Sequence, residues 1–285
     1  MNINSSTIPV SLTIAGSDNS GGAGIQADLK TFAATGTYGC SAVTCVVSEI
    51  PGAVNQVLPM PADLVADQIH ILPQGFPIHA VKTGMLFSSE IIETVAKEIT
   101  HLRALYPELR FVVDPVMIAS SGDPLLQPDA IQCYWDQIFP LADLVTPNLD
   151  EAATLLGSRI TSFSEMQSAA HALAAKLNCA VLLKGGHLKG DTAIDLLASP
   201  DSSLQQFDAP YFHNVDTHGT GCTYSAAITS FLAQKHSLPE AVQKAKGYIT
   251  QSIRQHFQWE TPTHLHTTPD SSSVAITTAL NHFPS

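Results

Sequence analysis

Charged side chains are scarce in this sequence. Aspartate, glutamate, lysine and arginine make up 13% of the 285 residues, which is about half of their usual share in soluble proteins. Lysine and arginine together number 13 against 25 acidic residues, which gives a formal net charge of −12. No basic stripe interrupts this acidic balance, so a nucleic-acid-binding protein is not expected. Phosphate ligands are not excluded, because backbone N–H groups and a metal ion can bind them locally.

Paired cysteines and long hydrophobic runs are also lacking. The cysteines are odd in number and do not have the spacing of metal ligands; they are Cys40, Cys45, Cys133, Cys179 and Cys222. This usage indicates reduced thiols and a cytoplasmic location. The first residues carry no basic segment ahead of a short apolar run, and no stretch is long enough to cross a bilayer. We therefore expect neither export nor a membrane partner.

Short apolar segments alternate with longer amphipathic ones along most of the chain. Segments such as "PVSLTIAG" and "AVLLKGG" are rich in β-branched or aliphatic residues and end at a glycine or polar residue, which predicts strands. Segments such as "GIQADLKTFAATG" between them have the periodicity of helices. This alternation predicts an α/β protein in which a parallel sheet is covered by helices on both faces.

The chain shows no internal repeat and no change of composition that would indicate a linker. We therefore expect one domain over residues 1–285, with a folded core at about 10–258. After Trp259 the sequence becomes polar, and the serines and threonines of about 260–285 predict a loosely ordered tail.

Glycine and polar residues are concentrated at the predicted strand ends, where open α/β sheets bind their ligands. "GSDNSGGAGIQADLKT" (16–31) places Gly21, Gly22 and Gly24 before a helix, with Asp18 and Asp28 nearby. Glycines allow the backbone to approach a ligand closely. The segment has neither the lysine of a P-loop nor the spacing of a dinucleotide fingerprint. A plain strand-to-helix turn is an equally good interpretation of it.

Two further strand ends carry groups suited to phosphate and metal. "DPVM" places Asp114 at a strand end, and "TPNLDEA" adds Asn148 and Glu151. Asn148 can cap the next helix with Glu151 at its third position, which is the pattern of a capping box. Alternatively, Glu151 holds a hydrated Mg²⁺ while Asn148 orients phosphate oxygens. "LLKGGH" leaves Lys184 at the end of an apolar strand, where a phosphate partner would explain its charge.

"GTGC" (219–222) precedes a helix of small residues. The N–H groups at a helix start can bind a transferring phosphoryl group, and the helix dipole there favours a cysteine thiolate. Cys222 can therefore be the base, or the orienting group, for an acceptor hydroxyl. The alternative is a small, buried helix residue, which is common for cysteine.

Taken in order, these motifs resemble the ribokinase-like vitamin kinases, and most closely the hydroxymethylpyrimidine/phosphomethylpyrimidine kinases of thiamine synthesis. The resemblance covers residues 12 to about 257 and is carried by "AGSDNSGGAGIQADLKTF", "YGCSAVT", "KTGML", "DPVM", "SGDPLL", "TPNLDEA", "LLKGGH" and "THGTGCTYSAA". It implies a three-layer sandwich with a mostly parallel central sheet. It also implies phosphorylation of a hydroxymethyl group on a nitrogen heterocycle by ATP and Mg²⁺, a second phosphorylation of the monophosphate, and a homodimer.

The resemblance further implies roles for particular residues. Those implied for catalysis are Cys222, as the base, with Gly219 and Gly221. Those implied for substrate binding are Gly22, Asp28, Glu49, Met85 and Val116. Those implied for ATP binding are Asp114, Asn148, Lys184 and Thr220, and Glu151 is the implied metal ligand.

One position departs from the family. Relatives carry glutamine, within Gln-Asn-Thr, where this chain has Glu49 in "SEIPG". A glutamine amide offers an aminopyrimidine one acceptor and one donor, whereas an ionised glutamate offers acceptors only. We expect a proton shared between Glu49 and the ring nitrogen to restore the match. The alternatives are a pyridoxal/pyridoxine kinase of the same family and, from a different class, a non-catalytic vitamin-binding sensor.

Overall fold

A nine-stranded sheet organises the protein. The computed structural model describes residues 8–117, 130–186, 190–213, 215, 218–262 and 274–285. The sheet has the order β3-β2-β1-β4-β5-β6-β7-β8-β9. Its strands are β1 (Val10–Asp18), β2 (Tyr38–Ile50), β3 (Ala53–Pro59), β4 (Ile78–Thr83), β5 (Arg110–Val113), β6 (Leu144–Val145), β7 (Ala180–Lys184), β8 (Thr192–Ala198) and β9 (Leu204–Pro210).

The helices fall between these strands or follow them. They are α1 (Gly24–Ala34), α2 (Ala62–Ile71), α3 (Ser89–Leu105), the short α4 (Ala130–Cys133), α5 (Leu149–Leu156), α6 (Phe163–Leu177), α7 (Thr220–Ala233) and α8 (Leu238–Arg254). Several begin at caps encoded locally. Ser88 accepts a hydrogen bond from the N–H of Ile91 at the start of α3, and Ser162 forms a capping box with Glu165 at the start of α6.

The six central strands, β1, β2 and β4 to β7, pair in parallel. The remaining strands extend the sheet by antiparallel pairing, β3 along β2 at one end, and β8 and β9 beyond β7 at the other. The structure therefore confirms a mostly parallel sheet, and two antiparallel hairpins lie at its ends.

The central strands are apolar on both faces. In β5, Val113 packs into the core beneath α2, α3 and α6, whereas Val112 packs into the core beneath α7 and α8. Leu144 and Val145 divide in the same way in β6. Because neighbouring side chains on a strand point to opposite faces, helices are needed on both sides. This confirms the predicted three-layer α/β fold.

The end of the chain differs from the expected loose tail. Strands β10 (Phe257–Pro262) and β11 (Val274–Ala279) form a separate antiparallel pair. After them, Leu280 and His282 are buried, and His282 Nε2 lies 3.1 Å from the hydroxyl oxygen of Thr223 in α7. The prediction of a loose tail is wrong for residues 274–285, because their last buried side chains pack behind α7. Residues 263–273 lie outside the described part, and the single-domain assignment stays a prediction.

Candidate active site

A cavity of about 730 Å³ opens at the carboxyl ends of the central strands. Most of the residues predicted to form the site line it; they are Glu49, Met85, Asp114, Val116, Asn148, Glu151, Lys184, Gly219, Thr220, Gly221 and Cys222. The cavity thus brings together residues from the ends of six strands and from the start of α7. Gly22 and Asp28 are not among its lining residues, and the "SGDPLL" segment lies outside the described residues.

Gly22 belongs to a contact between two loops. Its carbonyl oxygen lies where a Cβ of Gly219 would fall, and a Cβ on Gly22 would lie 2.8 Å from Cδ2 of His218. The adjacent Ala23 and Gly24 line the cavity instead. The turn that precedes α7 thus lies against Gly22, and a contact of Gly22 with the substrate stays a prediction.

Asp28 lies beneath the cavity in an ion pair with Lys82. Both side chains are 0% exposed, and Lys82 Nζ lies 2.7 and 2.8 Å from the two carboxylate oxygens of Asp28. The hydroxyl of Thr13 donates a further bond of 2.6 Å to Asp28. Burial raises the pKa of Asp28, and these donors oppose that shift by stabilising the carboxylate. Asp28 thus has a structural and electrostatic role in the ion pair, and its role in substrate binding stays a prediction.

Lys184 and Asp114 form a second ion pair, at the wall of the cavity. The two groups are 2.9 Å apart, and Asp114 also accepts bonds from the hydroxyls of Thr146 and Ser225. Burial raises the pKa of Asp114, but the charges of Lys184 and Lys82 outweigh this and leave it lowered. Asp114 is thus an ionised partner that holds the Lys184 ammonium in place.

The Lys184 ammonium lies against the "GTGC" turn. A Cβ on Gly221 would be 3.2 Å from Lys184 Nζ, so glycine is what lets this cation approach the start of α7. The N-cap, Gly219, has a φ of 78° and no side chain to accept from the first N–H groups. The hydroxyl of Thr220 is buried and has no hydrogen-bond partner among the described residues. A cation, a helix start and an unpaired hydroxyl in one place suit an anionic phosphate.

Asn148 and Glu151 form the capping box that the sequence allowed. The side-chain oxygen of Asn148 accepts from the N–H of Glu151 at 2.8 Å, and Oε2 of Glu151 accepts from the N–H of Asn148 at 2.7 Å. Glu151 nevertheless lines the cavity, and burial raises its pKa to about 7, against the opposing charge of Lys184. Glu151 and Asp114 together offer carboxylate oxygens. These oxygens fit a hydrated Mg²⁺, which binds through one or two carboxylates.

Cys222 is the third residue of α7. It lines the cavity together with Lys184 on one side and Met85 and Glu49 on the other. Burial raises the pKa of its thiol to about 11. The charge of Lys82 and a backbone hydrogen bond from Gly24 lower that pKa, while the carboxylates of Asp28 and Asp114 raise it. Desolvation therefore opposes the thiolate that the helix dipole is expected to favour.

The other end of the cavity combines apolar walls with titratable groups. Cys45, Val47 and Met85 form a small buried cluster against which Val116 packs, and this surface suits the face of a flat heterocycle. Glu49 lies beside it. Burial raises the pKa of Glu49, and the neighbouring charge of Asp18 raises it further.

Two residues at this end were not predicted as site residues. Ligand atoms of Asp18, Glu49 and His218 all lie within 4.8 Å of one another, and His218 Nε2 is 3.1 Å from Asp18 Oδ2. Asp18 stands inside the "GSDNSGG" motif and His218 directly precedes "GTGC". Their positions within the two most specific motifs were the available signal, but their contact spans 200 residues of sequence.

Comparison with known proteins identifies the family of this chain. The model of the phosphomethylpyrimidine kinase family matches residues 18–280. The chain belongs to this family. It is 42% identical over 251 residues to the hydroxymethylpyrimidine/phosphomethylpyrimidine kinase of Streptomyces coelicolor, covering 88% of this chain and 91% of that protein. The predicted family is thereby confirmed.

Some relatives of the family are much longer. The thiamine biosynthesis bifunctional protein ThiED of Geobacter sulfurreducens is 43% identical over 85% of this chain, and the chain spans 49% of its length. The chain likewise spans 47% of the length of the putative hydroxymethylpyrimidine/phosphomethylpyrimidine kinase 2 of Schizosaccharomyces pombe, with 44% identity over 86% of this chain.

Solved structures of two kinds of vitamin kinase share the fold. The ADP complex of Bacillus subtilis pyridoxal kinase is 38% identical with a TM-score of 0.80, covering 88% of this chain and 94% of that one. The phosphomethylpyrimidine kinase of Clostridium difficile is 39% identical with a TM-score of 0.73, covering 86% and 99%. Both of these solved structures are thus close in fold to this protein. Among the residues that the structure describes, no helix is long and apolar enough to span a bilayer.

Proposed function

We propose that this chain uses ATP and Mg²⁺ to phosphorylate 4-amino-5-hydroxymethyl-2-methylpyrimidine, and then its monophosphate, in thiamine biosynthesis. The observation that carries the proposal is the continuity of the cavity. One end is apolar and ends at Glu49, the other holds Lys184 against the "GTGC" turn, and Cys222 lies between them. A heterocyclic alcohol and a phosphate donor bound at these ends would meet at Cys222.

The chain's own groups perform most of the proposed reaction by positioning and charge. Lys184 and the N–H groups of the turn hold the phosphates of ATP, while the apolar wall and Glu49 orient the heterocycle. The acceptor hydroxyl oxygen forms a bond to the γ-phosphorus as the bond from that phosphorus to the β,γ-bridging oxygen breaks, which releases ADP. Cys222 accepts the hydrogen bond of that hydroxyl, and the proton passes to an oxygen of the transferred phosphoryl group. Glu151 and Asp114 would hold Mg²⁺, which supplies charge neutralisation on the phosphates.

Pyridoxal or pyridoxine phosphorylation is the second candidate, and Glu49 is the observation that favours it. An ionised carboxylate would face the lone pair of the pyrimidine nitrogen, but could accept from the phenolic hydroxyl of pyridoxine. The raised pKa of Glu49 supports the pyrimidine instead, because a protonated carboxyl offers one donor and one acceptor, as glutamine does. A non-catalytic sensor is disfavoured, since it would not need Lys184, Gly221 and Cys222 arranged for transfer.

The deciding experiment compares kcat/KM for hydroxymethylpyrimidine and for pyridoxine across pH, in the wild type and in Glu49→Gln. A raised pKa keeps the carboxyl protonated to higher pH, so pyrimidine use should fall as pH rises through that pKa. Glu49→Gln should remove this dependence, because the amide does not titrate. Asp150→Asn, which removes a charge from the same cavity, is the matched control and should leave the dependence in place.

One outcome contradicts the pyrimidine assignment, and another contradicts the role given to Glu49 in it. The first is a wild type that prefers pyridoxine at every pH together with a Glu49→Gln variant that shifts toward the pyrimidine. The second is a pH profile for the pyrimidine that is the same in both proteins. The homodimer and the cytoplasmic location implied by the sequence remain part of the proposal and await measurement.

A further inference from the structure

The glycine loop after β1 and the turn before α7 meet at Asp18. This carboxylate accepts from the N–H of Ser20 at 2.6 Å, from the hydroxyl of Ser20 at 2.9 Å and from the N–H of Ala23 at 2.7 Å. These three bonds fix the glycine loop itself. A fourth contact leaves the loop, because Oδ2 also lies 3.1 Å from Nε2 of His218.

The backbones of the two segments interlock around this contact. The carbonyl of Gly22 lies where a Cβ of Gly219 would fall, and Gly22 itself faces the His218 ring. Glu49 is tied to the same loop, since its N–H donates to the side-chain oxygen of Asn19 at 2.6 Å. The two segments are therefore packed against each other, and a movement of the turn relative to the glycine loop would disturb the contact between Asp18 and His218.

The groups proposed to act on the phosphoryl group follow directly along the chain from this contact. His218 adjoins Gly219, the N-cap of α7, and Cys222 lies four residues beyond His218. Gly24, at the other end of the glycine loop, makes a backbone hydrogen bond to Cys222. The direction of the first N–H groups and of the thiol therefore depends on how the two segments are joined.

We propose that Asp18 and His218 form a clasp that positions the 219–222 turn for phosphoryl transfer, and that His218 is a positioning residue of the enzyme. The proposal rests on the proposed kinase function for its kinetic test, but not for its chemical one. Asp18 is suited to the clasp because its pKa is lowered. Burial raises that pKa, but the bonds from His218, Ser20 and Ala23 outweigh burial and keep the carboxylate ionised.

The kinetic test compares His218→Leu with His218→Gln. A misplacement of about 1 Å can cost about 10²-fold in rate, so His218→Leu should lower kcat by about 10- to 100-fold while KM for ATP changes little. His218→Gln should recover most of the loss, because its amide N–H can replace the Nε2–H donor to Asp18. His213→Leu is the matched control, since His213 forms a similar contact of 3.2 Å with Asp191 at the exposed surface. It should leave kcat unchanged.

The chemical test needs no acceptor. Iodoacetamide labelling, read at Cys222 by peptide mass spectrometry, should be several-fold faster in His218→Leu than in the wild type or His218→Gln, because an unclasped turn exposes the thiol. This readout separates failure of the clasp from failure of the kinase assignment. Thermal melting of each variant shows whether it is folded.

Four results would overturn the clasp. The first is wild-type kcat and labelling in His218→Leu. The second is a loss that His218→Gln does not recover, and the third is a rise in acceptor KM with kcat unchanged, which would make His218 an acceptor-binding residue. Stoichiometric binding of added ZnCl₂ that His218→Leu abolishes would also overturn it, because Asp18, Glu49 and His218 would then be a metal site.

Discussion

The thiol of Cys222 is the group whose protonation most affects the proposed mechanism. Burial raises its pKa to about 11. At pH 7.5 this is about 3.5 units above the solution pH, and at about 1.4 kcal/mol per unit the thiolate costs about 5 kcal/mol to form. Only about one molecule in several thousand would hold it ionised. The neutral thiol is therefore the form that meets the substrate.

The raised pKa of Cys222 favours a role in orienting the acceptor hydroxyl over a role as a base that is already a thiolate when the substrate binds. Little covalent chemistry is required of the protein in phosphoryl transfer, and positioning carries most of the rate. A neutral thiol can receive the hydrogen bond of the acceptor hydroxyl and aim its oxygen at the γ-phosphorus. The positive charge of Lys82 beneath the site would then stabilise the negative charge that forms nearby as the proton of the acceptor hydroxyl passes to an oxygen of the transferred phosphoryl group.

Cys222→Ala should leave ATP binding nearly intact and lower kcat by roughly 10²- to 10⁴-fold, the usual contribution of a positioned base or orienting group. Cys222→Ser separates the two roles. A serine hydroxyl both donates and accepts hydrogen bonds. Cys222→Ser should therefore recover most of the activity if the thiol only orients the acceptor. It should recover little if catalysis requires a Cys222 thiolate as the base for the acceptor hydroxyl.

The pH dependence of iodoacetamide labelling at Cys222, in the absence of substrate, measures its pKa directly. We expect labelling to keep rising well above pH 9. A plateau near neutral pH would refute the argument from burial. Near-normal turnover in Cys222→Ala would return Cys222 to the packing interpretation.

Two predictions concern charges around the transfer site. Glu151→Gln should raise the Mg²⁺ concentration needed for half-maximal activity and lower turnover more than it weakens heterocycle binding; an unchanged Mg²⁺ titration would leave Glu151 as a helix cap only. Lys82→Met should destabilise the fold by about 3–5 kcal/mol in urea unfolding, because it leaves the buried Asp28 carboxylate unpaired. The double variant Lys82→Met/Asp28→Leu should recover much of that loss, and the absence of any recovery would show that the pair is not the source of the effect.

Most of the sheet could be predicted from the sequence because its central strands have a strong local signal. The run "AVLLK" became β7, and the periodic "SSEIIETVAKEITHLRAL" became α3 (Ser89–Leu105). Strands β3, β8 and β9 were missed. Most residues of β3 and β9 are exposed, so these edges carry little of the apolar signal of a buried strand. Edge strands form through pairing with a neighbour, which a local pattern does not contain.

Residues of the cavity could be predicted where a short motif places them at the end of a strand or at the start of a helix. Lys184, Asn148 and Cys222 line the cavity as their motifs indicated. Asp28 in α1 could not be placed from sequence, because its partner Lys82 lies 54 residues away on strand β4. The pKa of Cys222 also depends on burial by distant segments, which a helix-start motif does not reveal.

Two different antiparallel hairpins, one at each end of the sheet, form the two ends of the cavity. The β2–β3 hairpin supplies Glu49 and Val54 at one end, and the β8–β9 hairpin supplies Ala193 and Ala209 at the other. The "GTGC" turn lies on neither of them. Substitutions in the β2–β3 hairpin would therefore reshape one end of the cavity and leave the "GTGC" turn and the neighbouring Lys184 unchanged. A fold built this way is a natural starting point for a group of kinases with shared chemistry and divergent acceptors.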